Sequence, residues 1–197
     1  MSCKCFLGII QDKKWKMAKN CRFYYRDTLG EGRFFMEILR NKENVDKLRL
    51  LAPKIKMLKE EKVSNEMRMK DDSLSFYSGV EVLSELFDTG KLKTVDEHDY
   101  LYNHSDCDYA YIVDFDNDKF YLYMDGCLNL VKAYDLYKIP TWQTVRKHMR
   151  QFVNSDEYVN PFSPDALESA EMFMEYQNEL DRKAKENNEK KGIYFPK

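Results

Sequence analysis

The chain has 197 residues, of which 34% are charged and 43% hydrophobic. This is typical of one globular domain, or of one domain with an appendage, that buries a sizeable core. Lys and Arg number 32 against 34 Asp and Glu, which gives a net charge of −2. A nucleic-acid partner is therefore not expected, because the global positive field of such proteins is missing.

The five cysteines lie at positions 3, 5, 21, 107 and 127, and the first residues match neither a signal peptide nor a membrane span. We therefore expect reduced thiols in a soluble, cytoplasmic protein without a membrane partner. The Cys-Lys-Cys spacing is too tight for a zinc knuckle, and no second ligand pair follows it. The sequence predicts no cofactor.

Two apolar runs near the N-terminus, residues 3–10 and 20–25, predict a β-hairpin. An amphipathic helix follows, in which Thr28 and Glu31 match a capping box. Its apolar face should include the adjacent pair Phe34 and Phe35, and the helical pattern extends to the proline at position 53.

The next stretch, residues 59–75, is polar and lacks periodicity, so we expect a mobile connection there. A second capping-box match, Ser78 with Glu81, precedes a short helix. Gly90 is placed where the end of that helix needs a left-handed residue.

The stretch DYAYIVDFDNDKFYLYMDG, residues 108–126, alternates apolar and aromatic residues on both sides of an aspartate cluster. It predicts two antiparallel strands, with Val113 and Phe120 on either side of a sharp acidic turn. A third strand should lie within residues 126–137. We expect one face of the hairpin to be covered and the other to present its tyrosines.

The aspartates also fit positions 1, 3, 5 and 12 of an EF-hand calcium loop, which makes them weak metal-ligand candidates: Asp114, Asp116, Asp118 and Asp125. Against calcium, Lys119 stands where the loop needs Gly, and the flanking residues have the period of strands. Hairpin-turn chemistry explains the same residues, so the sequence favours a turn without a metal.

Two further helices are predicted, one starting at Pro140 and one at Ser163, the latter fraying after Arg182. We divide the chain into an α+β domain, residues 1–160, and a C-terminal helix with a charged tail, residues 161–197. The tail is either a partner-binding segment or disordered in solvent. The predicted fold is α+β, a mainly antiparallel sheet with N-terminal and central hairpins packed against several helices.

No assembled catalytic set is recognisable in the sequence. The weak candidates for a nucleophile are Cys107, with His104 three residues earlier as its base, and Ser2, which removal of Met1 would leave with a free amine. A hydrolase or transferase that uses one of these residues is the alternative to a binding function.

A second alternative is small-anion or nucleotide binding at Gly30 and Gly32. These glycines are predicted to form a strand-to-helix turn, flanked by Arg26 and Arg33, where a helix N-terminus offers free amide groups. The Gly-Glu-Gly sequence is too short for a phosphate loop, so an ordinary turn with surface arginines explains it better.

Two stretches resemble a family of uncharacterised proteins found in bacteria, their phages and fungi. CRFYYRDTLGEGRFFMEIL resembles the aromatic strand, Asp-Gly-Tyr-Pro turn, Gly-x-Gly pair and helix of that family, although Thr28 and Leu29 replace Gly-Tyr-Pro. DYAYIVDFDNDKFYLYMDG resembles its later hairpin. The positions that correspond are Asp27, Gly30, Gly32, Asp114, Asp116 and Gly126. The resemblance implies a cytosolic protein of a bacterium, phage or other mobile element, and in that context an inhibitor of a host system.

The sequence therefore favours a small soluble protein that acts through protein–protein interaction. Many aromatic residues, a near-neutral charge and the lack of a catalytic set are the basis for this prediction. We expect the binding surface to include the charged C-terminal helix and three tyrosines of the central hairpin, Tyr111, Tyr121 and Tyr123. The sequence leaves the oligomeric state open.

Overall fold

A computed structural model describes residues 3–23, 28–102, 107–161 and 170–196. The strands are β1 (Cys3–Gln11), β2 (Lys14–Phe23), β3 (Ile55–Lys59), β4 (Leu92–Asp96), β5 (Tyr109–Asp114), β6 (Lys119–Met124) and β7 (Asn129–Asp135). The α-helices are α1 (Thr28–Leu39), α2 (Lys42–Leu51), α3 (Asn65–Lys70), α4 (Val82–Thr89), α5 (Trp142–Val153) and α6 (Ala170–Lys190). None of the described helices combines the length and apolar character needed to cross a lipid bilayer.

Five strands form a mainly antiparallel sheet in the order β2-β1-β5-β6-β7, as predicted for an α+β fold with two hairpins. Val113 pairs with Phe120 in the central hairpin, which confirms the predicted register across the acidic turn. The hairpins are joined by β1 and β5, which run parallel, with Cys5 opposite Tyr109. The third predicted strand is β7, and a separate two-stranded parallel sheet contains β3 and β4.

The alternation of side chains along the strands gives the main sheet two separate buried faces. Leu7 and Val113 belong to the face that packs against α1, α2, α4 and α5. Phe6 and Ile112 point to the opposite face, where they meet α6 and the chain that follows it. The sheet is therefore the middle of three layers, and both of its sides are covered by other parts of the protein.

The predicted single helix up to Pro53 is interrupted. The chain leaves α1 and starts α2 at the N-cap Asn41, whose side chain accepts a hydrogen bond from the Glu43 N–H at 2.9 Å. Asn competes for backbone groups in this way and so favours helix starts over helix interiors. Glu31, the expected capping residue, instead accepts a hydrogen bond from the Val80 N–H at 2.9 Å and so links α1 to the start of α4.

The expected mobile connection at residues 59–75 is an ordered segment that contains α3 and short 3₁₀ turns. Its polar side chains act as caps: Ser64 accepts from the Met67 N–H at 3.2 Å, and Asp71 accepts from the Ser73 N–H at 3.1 Å. Ser78 does not cap α4, because its hydroxyl donates to backbone carbonyls at positions 72 and 75. Gly90 ends α4 with φ of 70°, as predicted.

The outer edge of β2 is covered by the segments that follow α3 and β4. The Asn20 N–H donates to the carboxylate of Glu97 at 2.9 Å, and the Arg22 N–H donates to the Phe76 carbonyl at 2.6 Å. Glu97 is only 3% exposed, and this burial raises its pKa. These contacts satisfy backbone groups that an open sheet edge would leave available for aggregation.

The C-terminal part is more ordered than predicted. The helix predicted to start at Pro140 is α5, which Thr141 caps by accepting a hydrogen bond from the Thr144 N–H. The last helix, α6, continues to Lys190 rather than fraying after Arg182. Its helix carries Leu180 and Ala184, one turn apart, into the core on the second face of the sheet. This burial stabilises the last turns of the helix. The predicted start at Ser163 lies outside the described residues.

The chain after α6 is partly buried against the rest of the protein, although Tyr194 is 70% exposed. Ile193 is 7% exposed, and the Phe195 ring stacks on Trp15 with centroids 5.8 Å apart. The indole N–H of Trp15 donates to the Pro196 carbonyl at 2.9 Å. The tail therefore packs on the N-terminal hairpin, which corrects the expectation of disorder and leaves partner binding by this segment a prediction.

Candidate functional site

The three tyrosines predicted to form a binding surface lie in the core. Tyr111 and Tyr123 are fully buried, and Tyr121 is 4% exposed. Phe195 of the tail contacts the rings of both Tyr121 and Tyr123, with centroids 6.5 and 5.8 Å away. The predicted tyrosine surface is wrong, because both faces of the hairpin, not one, are covered.

The two glycines proposed for anion binding lie within α1 rather than in a turn. A Cβ atom at Gly32 would fall within 3.0 Å of the ring and hydroxyl of Tyr111, so this glycine allows the helix to lie against the aromatic ring. Arg33 is exposed on the same helix, and Arg26 lies outside the described residues. Gly32 thus has a packing role, and no built anion site appears among the described residues.

Asp114 and Asp116 hold the turns of the two hairpins together. The Asp114 carboxylate accepts hydrogen bonds from the N–H groups of Asp116 and Asn117 at 2.9 and 3.2 Å. The Asp116 carboxylate accepts from the N–H groups of Asp12 and Lys13 at 2.8 and 2.7 Å, in the turn between β1 and β2. Both carboxylates therefore bind backbone amides of hairpin turns.

The other two candidate metal ligands point elsewhere. Asp118 pairs with Arg49. Asp125 lies at the far end of the β5–β6 hairpin, about 20 Å away for strands of this length, where its carboxylate accepts from the Asn129 amide at 2.9 Å. In the part of the chain that the structure describes, no three His, Cys, Asp or Glu side chains are arranged to hold a metal ion.

The candidate nucleophile Cys107 is a buried thiol. It is 3% exposed, its Sγ lies 3.3 Å from the Tyr109 carbonyl oxygen, and burial raises its pKa well above the ordinary value. A raised pKa keeps the sulfur protonated, and the thiol is then a poor nucleophile. His104 and Ser2, the other candidates, lie outside the described residues.

A large cleft lies between α1 and α4, and we call it the acidic groove. It encloses about 860 Å³, within the usual size range of binding sites. Phe34 is 61% exposed at this cleft, although the helical pattern placed it in the core together with Phe35. The residues that define the acidic groove are Glu31, Phe34, Glu37, Ile38, Val80 and Glu81.

A smaller cavity of about 340 Å³ adjoins the acidic groove, and the two share Glu81. It adds two more carboxylates, Asp72 and Glu85, and the half-exposed ring of Tyr77. Neither cavity is lined by Lys or Arg within the described part of the chain, and Arg40 approaches only the rim, where it pairs with Glu37 at 3.0 Å. The acidic groove is lined mainly by apolar surface. Every charged residue that lines either cavity, within the described part of the chain, is Asp or Glu.

One aromatic contact and one hydrogen bond fix the positions of α1 and α4 beside the groove. Phe35 turns inward and packs edge-on against Phe120, with centroids 6.0 Å apart, while its neighbour Phe34 lies about 100° further round the helix. The hydrogen bond from the Val80 N–H to Glu31 then fixes the start of α4 beside α1. The adjacent pair of phenylalanines was the available sequence signal, because neighbouring helical residues do not share one face.

Comparison with known proteins gives no match: no family model, no curated protein and no solved structure matches this chain.

Proposed function

We propose that the protein acts by binding another protein, and that the acidic groove receives a basic amphipathic segment of that partner. The observation that carries this proposal is the exposed ring of Phe34 beside an apolar floor that is surrounded by carboxylates. A helix with an apolar face and flanking Lys or Arg residues is the complementary structure. In the context that the family resemblance implies, the partner to test first is a host protein.

The energetics favour this class of partner. Covering an exposed phenylalanine contributes about 1.5–3 kcal/mol, so Phe34 has the properties of an interface anchor. The five carboxylates, Glu31, Glu37, Asp72, Glu81 and Glu85, attract a cationic segment and repel a phosphate backbone. The same surface therefore disfavours nucleic acid.

The test uses a fluorescently labelled peptide of about 18 residues, five turns of helix, built from Leu on one face and Lys on the other. Its affinity is measured by fluorescence anisotropy. We expect Phe34→Ala to weaken binding about tenfold or more, since the lost burial corresponds to at least about 1.4 kcal/mol. The exposed position of Phe34 should keep the stability change within about 0.5 kcal/mol.

Leu50 provides the matched control. It is 71% exposed on the neighbouring helix α2 and does not line the groove, so Leu50→Ala should leave the affinity unchanged. A peptide with Glu in place of Lys should bind much more weakly. Equal losses for both variants, or equal binding of the Lys and Glu peptides, would refute the groove as the binding site.

A further inference from the structure

Another cavity, whose charged lining residues are basic rather than acidic, lies beside α5. The helix starts at the N-cap Thr141 and buries Val145 and Met149 against the sheet. This orientation leaves Arg146 and Arg150, one turn apart, exposed on the same side of the helix. The fold thus places two guanidinium groups at one edge of the sheet.

The cavity between this helix and the end of the central hairpin has a volume of about 290 Å³. Its charged lining residues are the two arginines, and its remaining walls are mainly apolar. Tyr109 and Met124 contribute from the strands, and Met149 contributes from the helix. Methionine side chains adapt to flat aromatic surfaces and contact them favourably. The site therefore combines cationic groups at one side with a surface suited to a planar ring.

Among the described residues, no side chain pairs with either of these two arginines, unlike several other arginines of the protein. Arg40, Arg49 and Arg182 each pair with a carboxylate. In contrast, neither Arg146 nor Arg150 makes a side-chain hydrogen bond or an ion pair with any residue that the structure describes. Unpaired guanidinium groups on a cavity wall are available to an anionic ligand.

Further positive charge lies along α5. The pKa of His148 is lowered by burial and, in addition, by the charges of Lys132 and Lys147. None of these three residues lines the cavity. Asp125 accepts a hydrogen bond from the Asn129 amide and does not line the cavity.

We propose that this cavity binds a small ligand that carries both a phosphate monoester and a planar aromatic ring, joined directly or through a short spacer. The guanidinium groups of Arg146 and Arg150 take the phosphate oxygens, because a planar fork of N–H donors matches the geometry of an oxyanion. Tyr109 and the two methionines cover the ring. The volume is at the lower end of ligand pockets, which limits the ligand to one aromatic ring system, its phosphate and a short spacer between them.

Isothermal titration calorimetry tests this with two ligands that share this chemistry, adenosine monophosphate and O-phosphotyrosine. At least one should bind, and the tighter of the two identifies whether the source is a nucleotide or a phosphorylated aromatic residue. Adenosine and inorganic phosphate each carry only half of the recognised chemistry and should bind about tenfold more weakly or worse. A failure of both ring phosphates to bind at about 1 mM overturns the proposal.

Single substitutions separate this site from general attraction to a basic surface. Arg146→Ala and Arg150→Ala should each weaken binding about tenfold or more, because each removes charge-assisted hydrogen bonds. Lys147→Ala is the matched control: Lys147 lies next to Arg146, is equally exposed and does not line the cavity. An equal loss in all three variants would show diffuse electrostatics and refute the site. The groove on α1 and α4 is not involved, so neither result depends on the partner proposed above.

Discussion

Replacing Gly32 by alanine should destabilise the fold, although alanine is the better helix former. A Cβ atom there would lie within 3.0 Å of the ring and hydroxyl of Tyr111, a side chain that is fully buried. Ordinary carbon contacts are about 3.5–4.0 Å, so the ring must move by more than about 0.5 Å. Such overpacking costs about 1–3 kcal/mol, and contacts this short with a buried ring select the upper end. Against a helix gain of about 0.5–1 kcal/mol, this leaves a net loss of about 2 kcal/mol.

The assay is urea unfolding followed by far-UV circular dichroism, with Gly30→Ala as the control. Gly30 lies in the same helix and is partly exposed at the acidic groove, so its replacement should be neutral or slightly stabilising. The loss in free energy of unfolding should therefore be specific to Gly32.

A double-mutant cycle with Tyr111→Leu tests the cause. Leucine removes the distal ring and alone should cost about 2–4 kcal/mol as a large-to-small core change. In that background Gly32→Ala should be neutral or stabilising, because the new methyl group enters the vacated space. The coupling energy should reach about 1.5 kcal/mol or more. Additivity of the two substitutions within about 0.5 kcal/mol would refute the close packing of α1 on β5.

Three further predictions concern the turns, the pH dependence and the tail. Asp116→Ala should lower the free energy of unfolding by about 1–3 kcal/mol, because two backbone N–H groups lose a charged acceptor; unchanged urea midpoints would contradict this. The buried carboxylate of Asp125 has its pKa raised from 3.8 to about 6, so the native state binds the extra proton, and stability falls as pH rises from about 4 to 6. Asp125→Asn should reduce this pH-dependent loss of stability by on the order of 1 kcal/mol, after allowance for the partial exposure of the carboxylate. If the unfolding free energies of the wild type and the variant change with pH in parallel, Asp125 is not the cause of the loss. Phe195→Ala should shift the fluorescence of Trp15 to longer wavelength by admitting water to its stacked face; an unchanged spectrum would mean that the tail does not cover the indole in solution.

Local signals predicted the elements that local chemistry determines. The central hairpin follows from alternating apolar residues around turn-forming aspartates, and α5 follows from the cap at Thr141. The strands β3 and β4 were missed because sequences such as IKMLK are short and charged, and their pairing partner lies far along the chain. Their stability comes from tertiary contacts that a local pattern does not contain.

The candidate sites depended on long-range packing and were only partly predictable. The exposed side of the hairpin could not be chosen from its alternation, because the covering residues are in α6 and in the tail around Phe195. The helical pattern placed both Phe34 and Phe35 in the core. Their adjacency could have shown that one ring leaves it, but not that carboxylates from α1 and α4 surround that ring. The arginines of α5 are visible in the sequence, whereas only the fold shows that no side chain in the described part of the chain pairs with them.

The central claim is that the acidic groove is a docking site for a basic amphipathic segment. Titration of isotopically labelled protein with the Leu/Lys peptide, followed by ¹H–¹⁵N correlation spectra, tests it most directly. The account predicts saturable shift changes concentrated at α1 and α4, around Glu31, Phe34 and Val80, with little change at α5 or at the tail. Changes that centre on another surface, or that the Leu/Glu peptide reproduces at the same concentrations, would contradict it.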